Sequence, residues 1–160
     1  MNTPREPRWL DTEEQQVWLA LAYTLGRLPA ALDARLQRDA GISTFEYMVL
    51  SGLSMSSEHT QRMSELADFT ASSLSRLSNV VGRLEKRGWL RRHADPEDGR
   101  RTLATLTEEG WNKVVASAPR HVGAVRHLVF DPLTKAQQRQ LGEIGQRILH
   151  AIDTGGRFTA

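Results

Sequence analysis

The chain has no cysteine. That absence excludes disulfides, thiolate zinc sites, thiol nucleophiles and any switch run by thiol oxidation. Long apolar runs are missing as well. No stretch reaches the roughly 20 residues that a membrane-spanning helix needs, so no membrane partner is expected. The first eight residues are polar, and the apolar residues after them are interrupted by Asp11, Glu13 and Glu14. That does not fit a secretory leader, and a cytoplasmic protein is expected. Gly-rich phosphate loops, GxSxG and HExxH are all missing. His59, His93, His121, His127 and His150 share no metal-ligand spacing with one another or with an acid on one helix face. An enzyme, a metal site and a cofactor are therefore not expected. There is no internal repeat and no low-complexity linker, and a net charge of +2 over 160 residues decides little by itself.

The distribution of charge says more. Between Ser72 and Ala94, Arg76, Arg83, Lys86, Arg87, Arg91 and Arg92 stand against a single acid, Glu85. A local basic stripe on a near-neutral chain suggests an anionic partner at one face. A solvated helix surface is the plainer alternative.

Apolar periodicity and capping residues divide the chain into elements. A long helix is expected over 11–38, with Val17, Trp18, Leu21, Leu25, Leu28, Leu32 and Leu36 at three- and four-residue spacing. Asp11 caps it, Pro29 should kink or split it, and Gly41 stops it. Ser43-Thr44-Phe45-Glu46 is a capping box that opens a second helix. A polar loop, SMSSEHTQR, follows, and Ser64 is expected to cap a short helix, SELADF. Thr70-Ala71-Ser72 is a tight connection. The next helix covers 73–87, with Leu74, Leu77, Val80, Val81 and Leu84 inward and Gly88 as its C-cap. Trp89–His93 and Arg100–Leu106 read as two strands around the turn Asp95–Gly99, whose Asp-Pro and Asp-Gly pairs are turn chemistry. Thr107 caps a fifth helix, bent at Pro119. Thr134 and Gln137 box the start of a sixth, which ends near Ile152, and a frayed tail follows.

A short helix, a tight turn and a second helix make a helix-turn-helix, whose second helix enters a major groove. The non-buried side of that helix offers Ser73, Ser75, Arg76, Ser78, Asn79 and Arg83. Arg bonds guanine bidentately, Asn bonds adenine, and short hydroxyls reach bases or phosphates without crowding. Arg83, Lys86 and Arg87 lie further along and suit phosphates or internal acids. The hairpin then becomes a wing with Arg100 and Arg101 near its tip. Asp98, two residues before Arg100, is placed to hold that guanidinium in one rotamer. A weak surface ion pair is the alternative.

The run RMSELADFTASSLSRLSNVVGRLEKRGWLRRHADPEDGRRTLATLTEEG, residues 62–110, resembles the winged helix-turn-helix of the MarR family of transcriptional regulators. The resemblance extends outward to LQRDAGISTFEYMVL and FDPLT, and so covers nearly the whole chain. It implies a mainly α fold with a small β-hairpin wing. The parts would be a winged helix-turn-helix domain at 43–107, a helical dimerisation region at 1–40 and 108–154, and a tail at 155–160. It further implies a homodimer on a pseudo-palindromic double-stranded DNA operator, often released by a small anionic or aromatic effector. Ser73, Ser75, Arg76, Ser78 and Asn79 fall on the family's recognition helix. Arg100 falls on its wing-tip arginine and Asp98 on the accompanying acid. Many members carry a further basic residue where this chain has Gly99, so fewer phosphate contacts are expected here. Mid-helix Gly82 is a second departure. Trp18, Tyr23, Arg27, Tyr47, Met48 and Trp111 are candidates for an effector pocket, each weighed against an ordinary core or surface role. The alternatives to a sequence-specific repressor are a winged-helix protein-interaction module and a non-specific DNA binder. The mixed Ser/Arg/Asn face argues against both.

Overall fold

The computed structural model describes residues 7–155. The first helix, α1 (Thr12–Ala40), starts at a reciprocal cap. Asp11 Oδ1 accepts from the Glu14 N–H at 2.8 Å, and Glu14 Oε2 accepts from the Asp11 N–H at 3.0 Å. Gly41 ends it in the left-handed region at φ 66°. The helix is not split at Pro29. That residue is exposed, so water can satisfy the carbonyl that its ring leaves unpaired.

Helix α2 (Thr44–Met55) opens on the expected capping box, with Ser43 Oγ accepting from the Glu46 N–H at 3.1 Å and Glu46 Oε2 from the Ser43 N–H at 2.9 Å. The polar segment after α2 is not wholly loop. A single 3-10 turn, Ser57–His59, leads into strand β1 (Thr60–Arg62). Helix α3 (Met63–Phe69) follows at once, and Ser64 is not its cap: Arg62 holds that position without a side-chain bond. Strand pairing on one side and burial of Met63 on the other fix this helix start instead.

Helix α4 (Leu74–Lys86) ends in a Schellman motif, with the Trp89 N–H on the Leu84 carbonyl at 3.1 Å and the Gly88 N–H on the Glu85 carbonyl at 2.9 Å. Gly88 sits at φ 75°, the conformation that glycine tolerates at this position. Strands β2 (Leu90–Ala94) and β3 (Thr102–Leu106) form the wing. Strand β2 starts and ends one residue later than the sequence suggests, and β3 is two residues shorter at the tip, so Arg100 lies in the turn. The sheet is antiparallel in the order β1-β3-β2, with Leu90 opposite Leu106 and Thr60 opposite Thr105.

Helix α5 (Glu108–Val125) is capped by Thr107 and passes Pro119 without a break. One π turn, Arg126–Phe130, carries it into α6 (Lys135–Gly155), whose start has the expected Thr134/Gln137 box. The anticipated frayed tail, TGGRFTA, lies outside the described residues except for Thr154 and Gly155, which still belong to α6.

The core is made by α2, α3, α4, the sheet and the ends of α1 and α5 that rest on them. Val49, Leu50, Leu53, Leu66, Leu77, Val81, Leu84 and Ala104 are all fully buried at 0% exposure. Leu74 breaks the expected pattern. It is 54% exposed at the first position of α4, one turn ahead of the buried Leu77. The long helices are left with apolar rows in the open: Val17, Trp18 and Leu25 on α1, Val122 on α5, and Leu141, Ile144, Ile148 and Ile152 on α6.

Candidate nucleic-acid interface

Helix α4 is held by its buried side and presents the other. Leu77, Val80, Val81 and Leu84 anchor it, while Ser73, Ser75, Arg76, Asn79 and Arg83 are exposed and Ser78 is half-buried. The connection from α3 is rigid. The Ser72 N–H reaches the Ala67 carbonyl at 2.9 Å and the Ala71 N–H the Asp68 carbonyl at 3.0 Å, which is again a Schellman motif. Buried Thr70 donates Oγ1 to the Leu66 carbonyl at 2.8 Å and lies 3.0 Å from the Ser72 hydroxyl. Ser73 then caps α4 by accepting from the Arg76 N–H at 3.2 Å.

The arginines of the basic stripe have different local duties. The Arg76 guanidinium lies over the Phe45 ring, 4.5 Å from its centroid. The stacking restricts the side chain while leaving its donors free for a planar acceptor. Arg83 and Arg87 approach the buried Glu46 carboxylate at 3.8 and 4.0 Å. They lie beside an internal acid, the second of the two roles that the sequence left open, and Arg83 stays 58% exposed beyond it. Arg92 is committed to Glu85 by its backbone N–H at 2.8 Å and by Nε and Nη2 at 3.0 and 2.8 Å. Those bonds, the backbone one foremost, hold the Glu85 carboxyl below its ordinary range. The pair ties β2 to α4 and so sets the angle between wing and helix. The Arg92 guanidinium passes over Gly82, where an added Cβ would lie 3.8 Å from Nη2. That is ordinary contact, so the gap does not require glycine.

At the wing, Asp98 gathers both tip arginines. Oδ1 accepts from the Arg100 backbone and Nε, each at 3.2 Å, and Oδ2 lies 3.1 Å from Arg101 Nε. The Arg100 side chain is nonetheless 92% exposed. The turn is built on Asp95, a residue that sequence reasoning used only as a turn former. Its carboxylate is buried and accepts from the Glu97 N–H at 3.0 Å and from Arg62 Nε at 3.3 Å. The backbone bond from Glu97, with help from Arg62, keeps that carboxyl below its usual range. Neither Arg62 nor its partnership with Asp95 could be read from the sequence, since the two are brought together only by the pairing of β1 and β2 with opposite sides of β3.

The effector candidates lie apart from one another. Trp18 lines a groove with Leu10 and Val17, whereas Arg27 lines another with Tyr23, Leu28 and Leu128. Tyr47 is buried with its ring 4.6 Å from His121, and Trp111 stacks at 4.8 Å on His59. Met48 joins a cleft of about 890 Å³ between α1, the first turn of α2 and α4, where it is accompanied by Phe45, Arg76 and Asn79. Among the described residues no helix is long and apolar enough to cross a membrane.

A three-stranded sheet, a helix-turn-helix with a polar outer face and a hairpin beside it define a winged-helix protein of the transcription-regulator type. The MarR family model matches residues 40–101. The chain is 47% identical to Sco3205, a MarR family transcriptional regulator from Streptomyces coelicolor crystallised with DNA, at a TM-score of 0.86 over 92% of this chain and 91% of that one. AbsC, a MarR family transcriptional regulator of the same organism, is 32% identical at a TM-score of 0.87, over 92% of this chain and 99% of its own. The uncharacterised HTH-type transcriptional regulator YdcH of Bacillus subtilis is 32% identical over 113 residues, 71% of each chain. The chain belongs to the MarR family of transcriptional regulators.

Proposed function

We propose that this protein is a homodimeric, sequence-specific DNA-binding repressor, released from a pseudo-palindromic operator by a small effector. The observation that carries the DNA reading is the outer face of α4. Ser75, Arg76 and Asn79 stand exposed on a helix whose opposite side is locked in the core, with Arg100 extended from the wing beside it. Arg76 and Asn79 read base edges, and Ser73, Ser75 and Ser78 contact bases or phosphates. Arg83 gives a phosphate contact, and Arg100 and Arg101, steadied by Asp98, track the backbone or an adjacent minor groove. The crystallisation of Sco3205 with DNA supports this assignment.

Residues 43–107 act as the reading module, and α1, α5 and α6 as the dimerisation region. The exposed apolar rows of those helices support a two-fold interface. Two α4 helices about 34 Å apart would meet half-sites on one face of the duplex. Occupying a promoter blocks polymerase. An effector that binds better to a different spacing of the lobes weakens DNA binding by its differential affinity. An anionic or aromatic compound suits the candidates Trp18, Arg27, Tyr47 and Trp111, which then act at separate places and not in one shared cavity.

The test is selection of binding sites from a random duplex library, followed by affinity at two salt concentrations. A two-fold symmetric motif with steep salt dependence is expected. Binding without any motif would replace this reading with a non-specific DNA protein.

A further inference from the structure

We infer that Leu74 is a base-reading residue that recognises a thymine methyl group in each half-site. The inference rests on the DNA reading proposed above. Three observations carry it. Leu74 is 54% exposed although it sits in the helix that also buries Leu77 and Leu84 at 0%. It is the first residue of α4, directly after the Ser73 cap, at the end of the helix whose N-terminal residues meet base edges in a major groove. And it is fixed there: the Schellman turn at Ala67–Ser72 and the Thr70 hydroxyl network leave the first turn of α4 no freedom to swing away.

Leu74, Ser78 and Gly82 follow one another at four-residue spacing, so they form one row along α4. That row ends at the Glu85–Arg92 pair that supports the wing. Leu74 is therefore the apolar tip of the row leading from the wing to the free end of the helix. In the major groove the one apolar feature of a base edge is the thymine C5 methyl group. Arg76 and Asn79 supply hydrogen bonds for guanine and adenine, and neither distinguishes thymine from uracil. Leu74 supplies the missing contact, and it costs the free protein an exposed leucine.

The experiment uses the full-length protein and the motif selected from the random library. Each thymine is replaced singly by deoxyuridine, which removes only the methyl group, and affinities are compared for wild type, Leu74→Ala and Leu74→Lys. Wild type is expected to lose about fourfold at one symmetric thymine pair member, the value of one buried methyl. Leu74→Ala should bind the thymine and uracil forms equally at that position while keeping its response to base changes elsewhere. Leu74→Lys should bind without preference there. Because the side chain is exposed, the melting temperature of Leu74→Ala should match wild type, which separates lost recognition from lost folding. A motif whose thymines tolerate uracil throughout, or a Leu74→Ala protein with an unchanged uracil profile, would overturn the role of Leu74 alone. Failure to select any motif would overturn the DNA reading itself, and Leu74 with it.

Discussion

At the scale of single residues, two small side chains carry opposite demands. Ala71 occupies the C′ position of the Schellman turn between α3 and α4 at φ 47°, where glycine is the favoured residue. A left-handed alanine costs roughly 1 kcal/mol. Ala71→Gly should therefore stabilise the fold by about 0.5–1 kcal/mol, net of the entropy that glycine returns to the unfolded chain. Urea denaturation would show it as a higher midpoint at unchanged slope. A lower midpoint would mean that the turn is not strained at Ala71. Gly110 is the reverse case. A Cβ there would fall inside the Trp89 carbonyl, and within 2.7 Å of Leu106 Cδ1. The first turn of α5 thus lies directly on the backbone that enters β2. Gly110→Ala should cost about 3 kcal/mol by overpacking against an atom that cannot rotate away. Gly82→Ala, with only an ordinary contact to Arg92 and a helical backbone, should be neutral or stabilising. If both alanines behaved alike in the same denaturation experiment, the close approach at Gly110 would be discredited.

At the scale of elements, the wing depends on two aspartates with separate tasks. Asp95 anchors the turn to Arg62 of β1, and Asp98 aligns Arg100 and Arg101. Asp98→Ala should leave the melting temperature nearly unchanged, because its partners are exposed. It should weaken operator binding several-fold by freeing two rotamer-rich side chains that must then be ordered on binding, roughly 0.5–1.5 kcal/mol for each. Tighter binding, from loss of a negative charge near phosphates, would contradict an ordering role. The contact between α2 and α5 is titratable. Burial against Tyr47 holds His121 below the usual histidine value of 6.5. A depressed folded value means that the unfolded chain takes up the proton first. The stability of neutral His121 is therefore complete above about pH 6.5 and declines as pH falls below it. His121→Phe should remove that decline between pH 6.5 and the carboxylate range, as melting temperatures across a pH series would record. An unchanged slope would place the titration elsewhere. Most of these elements were legible in the sequence because their signals are local. Ser43/Glu46 and Thr134/Gln137 carry their own caps, and Gly41 and Gly88 mark their own ends. Strand β1 was not, since Thr60-Gln61-Arg62 is extended only because β3 pairs with it. Leu74 misled for a related reason. Periodicity assigns a face to every apolar residue, but burial also needs a neighbour to cover that face, and at Leu74 the cover is incomplete. The outward residues of α4 and the Asp98–Arg100 spacing were readable, whereas the Arg76–Phe45 stack and the Arg62–Asp95 anchor belong to tertiary structure.

At the scale of the whole molecule, the distribution of apolar surface sets the central problem. The core lies in the winged module, while α6 buries none of the large apolar residues in the row Leu141, Ile144, Ile148 and Ile152, which stay 41–63% exposed at helical spacing. A 21-residue helix with such a face is not stable alone in water. In the proposed homodimer a second copy would supply the cover: a two-fold axis would bring each row against its equivalent and count every contact twice. Ile148→Glu should therefore remove two buried isoleucine contacts per dimer and place two carboxylates in an apolar seam. The loss is about 3 kcal/mol or more from burial alone. Sedimentation velocity at micromolar concentration should show the variant shifting from dimer to monomer. Operator affinity should fall by orders of magnitude, because each half-site would then bind alone and the linkage of two reading helices would be lost. Should the variant fail to fold, the wild type still decides the matter. A dimer whose folding is coupled to association melts higher as protein concentration rises, whereas a monomer melts at one temperature throughout. A wild-type melting temperature that ignores concentration, together with an Ile148→Glu protein of unchanged mass in solution, would show that the α6 row is not the seam.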